Sequence, residues 1–361
     1  MTIELTESET EVAGALAEKI FGAAIAAFEL GSIWLGDALG LYGTLADAGD
    51  ASPADLAKAA GIHERYAREW LEQQAVAGIV EVALDGDETT RRYRLPRAHQ
   101  PVFIDPDSPF ALAGAAAFLP SIGRVADQLL DAYRTGGGVP FADYGVHDAQ
   151  AAITRPMFRN ELVQSWIPAL PEVETALRNG GKVAEIACGE GIAAVTLATA
   201  YPESTVDGYD LDDASIAAAR RNAADAGVED RVRFEVADAS DDSLAGAYDF
   251  VAIFEALHDA TRPVELLATM RRLCKPGGTV LVVDERVADA FTAPGDEMER
   301  FMYACSVLHC LPVGMTSPDA VGTGTVIRPS TIQHYAEQAG FDSVVEIALD
   351  HPMWRFYRLA G

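Results

Sequence analysis

"VAEIACGEGIAA", Val183–Ala194, decides the reading of the fold. Its first residues suit a buried strand, Gly189 and Gly191 form a turn, and the small residues from Ile192 onward continue as a helix. Glycine lacks Cβ and lets the backbone approach a ligand closely, while the following helix points its N-terminal amides at it. From Lys182 onward such units repeat: "VAEIA", "TVDGYD", "VRFEVAD", "FVAIFEA" and "TVLVVDE" read as strands with helices between them. That alternation predicts right-handed βαβ crossovers and a parallel sheet covered on both faces. Ligands of such sheets sit at the carboxyl ends of the strands, near the switch in strand order.

Acids recur at those ends. Asp210 closes "VDGYD" about twenty residues beyond the glycines, where a carboxylate can accept two hydrogen bonds from a ribose diol, a feature shared by dinucleotide and adenosine binders. Asp238 closes "VRFEVAD", in reach of an exocyclic adenine amine. Glu185 lies inside the first strand, where a bare carboxylate is costly, so it is expected to meet an amine or backbone donors at the ligand. Asp249 reads as structural.

Bulk properties exclude several classes. The 361 residues suit about two domains. No basic leader segment precedes an apolar core, and no apolar run is expected to approach a membrane span, so a soluble cytoplasmic protein without a membrane partner is the expectation. Four cysteines without repeated CxxC spacing argue against a disulfide framework or a zinc module. A net charge of −28 opposes nucleic-acid binding, which needs a basic face.

Ahead of the α/β region, Ser52 reads as an N-cap, with Pro53 at the first helical position and Asp55 completing a near capping box; this helix stops at Gly61. A second runs from about Glu64 through Ala77, with Tyr66 and Trp70 stacked and Gly78 as cap. "IVEVAL" and "RRYRL" flank an Asp-Gly turn, which makes a winged helix. Residues 1–110 hold eight Lys or Arg against nineteen Asp or Glu, so this module is expected to pair subunits and cover a substrate rather than bind DNA. Apolar "FGAAIAAFELGSIWLGDALGLYGTLA" before it suits an interface. The predicted layout is a winged-helix domain over 1–107, a helical connector over 108–178 and the α/β domain over 179–361, with no internal repeat.

The ordered set of motifs resembles the class I S-adenosyl-L-methionine-dependent methyltransferases: "VAEIACGEG" their first motif, "GYDLDDASIAAAR" their second, "VADAS" their third, and "LCKPGGTVLVVDE" the segment around their fifth strand. "VVEIALDHPMWRFYRLA" is similar to the antiparallel pair that closes their sheet. With the winged helix ahead, the whole resembles the small-molecule methyltransferases of bacterial and plant secondary metabolism, which implies a mostly helical dimerisation domain, a homodimer and a Rossmann-like sheet. Ala187 departs from the family's first glycine but is small enough to preserve binding. The resemblance places Glu185 at the methionine amine, Ala187, Cys188, Gly189 and Gly191 along the cofactor, Asp210 with Leu211 at the ribose, Asp238 and Ala239 at the adenine, and Phe254 and Glu255 near the sulfonium.

Methyl transfer is an in-line displacement that asks mainly for alignment, and a hydroxyl nucleophile must also lose its proton. His258 in "FEALHDATRP" resembles the base of plant-type O-methyltransferases. Asp259 is expected to orient the ring or cap the next helix, and Asp284 or Glu285 to brace it. In "CSVLHC", Cys305, His309 and Cys310 suggest a metal, but a substrate-lining or core role is preferred and no metal is expected. Phe158, Trp166, Met302, Tyr303 and Cys310 are candidate pocket walls. The leading expectation is O-methylation of an aromatic or polyketide-like small molecule. The competing ones are N-methylation, C-methylation including that of an α-keto acid with a metal, a ligand-sensing winged-helix regulator and a nicotinamide-dependent oxidoreductase.

Overall fold

The computed structural model describes residues 3–237 and 245–361. The chain forms two compact units, Met1–Pro120 with Asp148–Ile153, and Ser121–His147 with Thr154–Gly361.

In the first unit, α1 (Glu7–Ala38), α2 (Leu41–Ala48), α3 (Pro53–Ala60) and α4 (Glu64–Val76) precede a hairpin of β1 (Glu81–Leu84) and β2 (Arg92–Arg94), paired antiparallel with Glu81 opposite Arg94. The capping box at α3 forms as its sequence predicts: the Asp55 amide donates to the Ser52 hydroxyl and the Ser52 amide to the Asp55 carboxylate. Gly61 ends the helix at φ 70. Along α4, Arg65 is paired with Glu69 and Arg68 with Glu88, which leaves little cationic surface where a groove-reading helix would need it.

Two expectations are corrected here. Tyr66 does not stack on Trp70: it is 74% exposed, with its ring edge-on to His63, while Trp70 is buried, edge-on to Tyr42 and donating its Nε1–H to the Ser32 carbonyl. A long helical side chain lies over the turn N-terminal to its own Cα, which takes Tyr66 back to the start of α4. The second correction concerns α1. At 32 residues, with a window of mean hydropathy 1.3, it is long and apolar enough by length and composition to cross a membrane. Its alanines sustain that hydropathy. Its C-terminal turns are nevertheless docked within this unit, because a Cβ on buried Gly36 would meet the Trp70 ring at 2.5 Å.

The second unit holds β3 (Lys182–Ile186), β4 (Thr205–Asp210), β5 (Val232–Val236), β6 (Tyr248–Phe254), β7 (Cys274–Glu285), β8 (Ser343–Glu346) and β9 (Trp354–Ala360), in the order β5-β4-β3-β6-β7-β9-β8. The first five are parallel, and β9 pairs antiparallel with both β7 and β8. Side chains alternate across the sheet: Val183, Phe250, Ala252 and Leu281 enter one core with helix Ile192–Ala200, while Ala184, Val251, Ile253 and Val282 enter another with helices Pro263–Leu273 and Pro329–Gln338. Burial on both faces is why these strands read as continuous apolar runs. The chain leaves β3 toward β4 and β5 and returns to β6 on the other side, so the switch in strand order falls between β3 and β6.

Candidate active site

The turn after β3 lies at that switch. Ala187 takes φ 53, a left-handed backbone that favours glycine, which explains why glycine is the residue expected there. The Cys188 amide donates to the Tyr209 carbonyl, and the Cys188 thiol is buried. Gly189 has φ 51 and a Cβ on it would meet nothing within 4 Å, so its bare face is open to a ligand. Gly191, at φ 69, is closed instead: a Cβ would collide with the Phe234 ring. It caps helix Ile192–Ala200 without a side-chain hydrogen bond.

Asp210, at the end of β4, accepts from the Gly189 amide at 2.8 Å and from the Asp212 amide at 2.9 Å. It therefore fixes the shape of the glycine turn as well as standing beside it. Burial raises its carboxyl, and those two amides work against the rise. Leu211 next to it is 73% exposed. Glu185 is buried, its Oε2 has no hydrogen-bond partner, and burial pushes its carboxyl up to about 8. An orphaned carboxylate oxygen beside an open glycine face fits a cofactor with an ammonium group and a diol. Asp238 and Ala239, assigned to the adenine, lie outside the described residues.

A second group forms at the ends of β6 and β7. After Phe254 the chain turns through Glu255, at φ 53, into the short 3-10 turn Leu257–Asp259. His258 Nδ1 lies 2.7 Å from Asp284 Oδ1, and its backbone amide donates to Asp284 Oδ2 at 3.3 Å. Burial works against a charged ring, but the Asp284 and Asp259 carboxylates outweigh it and hold His258 well above the ordinary histidine value. Nδ1–H thus donates to Asp284, while Nε2 faces Asp259 Oδ1 at 3.5 Å. His258, Asp259 and Cys310 bring ligand-type atoms within 4.8 Å of one another. Burial, with the Asp259 charge behind it, pushes the Cys310 thiol up to about 12.

Three placements differ from the sequence expectations. Phe158 and Trp166 are buried core rather than open wall: Phe158 packs edge-on against Phe254 at 5.3 Å, and Trp166 against Trp354 and Phe356 at 5.2 Å each. Of the "CSVLHC" trio, Cys310 alone joins the His258 and Asp259 cluster, at the end of a π turn over Ser306–Cys310. Glu285, not singled out as a ligand contact, is 3% exposed with Oε2 unpartnered beside Glu255. Adjacency of strands ending "FE" and "DE" is the signal that would have found it. Met302 is buried on helix Glu297–Cys305, and its neighbour Tyr303 accepts from Arg328 at 3.3 Å. Asp249 is structural, accepting from the Lys182 amide and pairing with Lys275.

A doubly wound sheet closed by an antiparallel strand pair, with a glycine turn and strand-end acids at its switch, defines the class I methyltransferase architecture. The comparisons agree. Residues 183–278 match the family "Methyltransferase domain", and residues 27–104 the "Rv2258c-like winged HTH domain". A ubiquinone biosynthesis O-methyltransferase of Pseudomonas aeruginosa (strain LESB58) is 29% identical over 203 residues, covering 56% of this chain and 80% of that protein. Among solved structures, the mitomycin 7-O-methyltransferase MmcR has a TM-score of 0.67 at 19% identity, covering 98% of this chain and 100% of that one. Human N-acetylserotonin methyltransferase in complex with SAM has 0.66 at 18%, covering 100% and 99%. The chain thus carries a methyltransferase domain behind an N-terminal winged-helix domain, in the fold of S-adenosylmethionine-dependent methyltransferases.

Proposed function

We propose that the enzyme methylates a hydroxyl of a small aromatic or polyketide-like acceptor, with His258 as general base. The observation that carries this reading is the buried His258–Asp284 pair, 2.7 Å apart at the ends of β6 and β7, beside the switch point. Asp284 holds Nδ1–H and so fixes the tautomer that leaves Nε2 free to take a proton. Asp259 steadies the resulting imidazolium from the other side. The bound cofactor supplies an electrophilic methyl on a sulfonium, a leaving group that departs neutral. Glu185 receives the ammonium, Asp210 and Leu211 the ribose side, and Gly189 lets the cofactor approach. Nε2 removes the hydroxyl proton, which would leave the acceptor oxygen able to take the methyl group that a bound cofactor would supply. Related proteins named for O-methylation support the choice of oxygen.

The test is His258→Ala. Methyl transfer to a panel of phenols should fall on the order of 10²–10⁴-fold, the typical worth of a positioned base. Calorimetric affinity for S-adenosylhomocysteine should stay within about twofold. Undiminished transfer would remove the base.

One observation favours a second reading. The grouping of His258, Asp259 and Cys310 suits a divalent cation, as in metal-assisted C-methylation of an α-keto acid. Activity that survives dialysis against a chelator upholds the base; activity lost and restored by a divalent ion upholds the metal.

The protein is proposed to work in the cytoplasm as a homodimer, not to bind nucleic acid, and to keep its four cysteines, all unpaired, as thiols.

A further inference from the structure

The mechanism leaves two buried carboxyls unused. Glu255 ends β6 and Glu285 ends β7, adjacent parallel strands, and their carboxyl groups lie within hydrogen-bonding reach of one another. Burial raises both, the Glu255 charge adds to the rise at Glu285, and His258 works against the rise at each. Each has an Oε2 without a hydrogen-bond partner, Glu285 at 3% exposure. Glu255 is also held at φ 53, a strained backbone state outside glycine that recurs at ligand-gripping positions.

Three arginines of the α/β unit are engaged elsewhere. Arg286 pairs with Asp350 and donates to the His351 carbonyl, Arg328 pairs with Glu299, and Arg355 with Asp289. His258 is the cation that acts on both carboxyls, and it is already flanked by Asp284 and Asp259. This end of the sheet carries more acid than base. An ordinary hydroxyl has one proton and would satisfy one of the orphaned oxygens, whereas an ammonium has several N–H donors and brings the missing positive charge.

We propose that Glu255 and Glu285 form a receptor for a cationic nitrogen on the methyl acceptor, so that the enzyme's substrates are amine-bearing small molecules. The inference rests on the proposed O-methyltransferase reading and assigns its acceptor class. The cofactor's own ammonium is an inferior candidate, since Glu185 and Asp210 stand on β3 and β4, whereas the charge of Glu285 acts on Cys305 of helix Glu297–Cys305 and feels that of His258.

The experiment is calorimetry on the full chain saturated with S-adenosylhomocysteine, using two phenols of similar size, tyramine and 4-hydroxyphenylacetate. Tyramine should bind at least about tenfold more tightly, the lower bound expected for hydrogen bonds to a charged partner. In Glu285→Gln the ratio should fall to within about threefold, with S-adenosylhomocysteine affinity retained. No binding of tyramine, no preference for it, or a preference unchanged in the variant overturns the proposal, and the parent's ratio decides even if the variant fails to fold. Loss in the variant of discrimination between S-adenosylmethionine and S-adenosylhomocysteine, with the amine preference intact, would assign the pair to the sulfonium and overturn it too. Failure of the parent to bind S-adenosylhomocysteine is a separate result, and it sinks the methyltransferase mechanism itself.

Discussion

His258 Nδ1 and Asp284 Oδ1 meet at 2.7 Å with both side chains buried, although 26 residues separate them in the chain. The contact exists because β6 and β7 are neighbours and end together, with Phe254 opposite Val283. Its electrostatics set a pH dependence. The pair holds the His258 value well above 6.5, and a base acts only when neutral, so the rate should rise with pH through a limb lying above 6.5. Asp284→Asn removes the charge that sustains the shift and should move the limb to lower pH, with the plateau reduced on the order of 10²-fold as the tautomer is released. A parent limb at or below 6.5, or one unmoved in the variant, would contradict this arrangement.

Glu185 predicts a proton linkage. Burial raises its carboxyl from 4.5 to about 8, so the ligand-free protein carries that proton at neutral pH. A carboxyl with a raised folded value favours the native state at low pH, and that contribution is lost as pH climbs from about 4.5 to about 8. When an ammonium meets Oε2 the proton should leave. Calorimetry at pH 7 in buffers of different ionisation enthalpy should report about one proton released per S-adenosylhomocysteine bound. Glu185→Gln should abolish the release, weaken binding and raise the ligand-free melting temperature at pH 8. Binding without proton release would place the ammonium elsewhere.

Two positions in the turn should respond oppositely to a change of one methyl group. Ala187 already sits at φ 53, so Ala187→Gly relieves strain while freeing the unfolded chain, and stability should move by less than about 1 kcal/mol with cofactor binding kept. Gly191→Ala meets both a left-handed backbone and the Phe234 ring, and should cost roughly 2–4 kcal/mol in denaturant unfolding. Equal effects at the two sites would mean that the turn is shaped otherwise.

Much of this was legible because the parallel sheet is buried on both faces: uninterrupted apolar runs marked the strands, and the residues ending them marked the site. Three features were not. Sequence alone makes Trp166 a pocket wall, since its partners, Trp354 and Phe356, lie on the last strand, far along the chain. Cys310 reaches His258 through a π turn, and helical spacing cannot foresee such a turn. In the tandem acids of "VVDE", only strand order and register decide that Asp284 braces the histidine while Glu285 turns to Glu255.

The N-terminal helix carries the last prediction. Along α1, Val12, Leu16, Ile20, Phe21 and Phe28 are all more than half exposed in the single chain, and most recur at intervals of four, which draws a stripe down one side. A continuous apolar stripe on an otherwise acidic protein favours burial against another copy. Analytical ultracentrifugation should therefore find a dimer, and the double variant Leu16→Glu with Phe21→Glu should sediment as a monomer. Charges on that stripe lie outside the α/β unit, so S-adenosylhomocysteine binding should be unchanged in the monomer. A monomeric parent, or a dimer that survives both glutamates, would remove α1 from the interface and leave its apolar surface in need of a different cover, a membrane among them, which vesicle flotation of the parent would then detect.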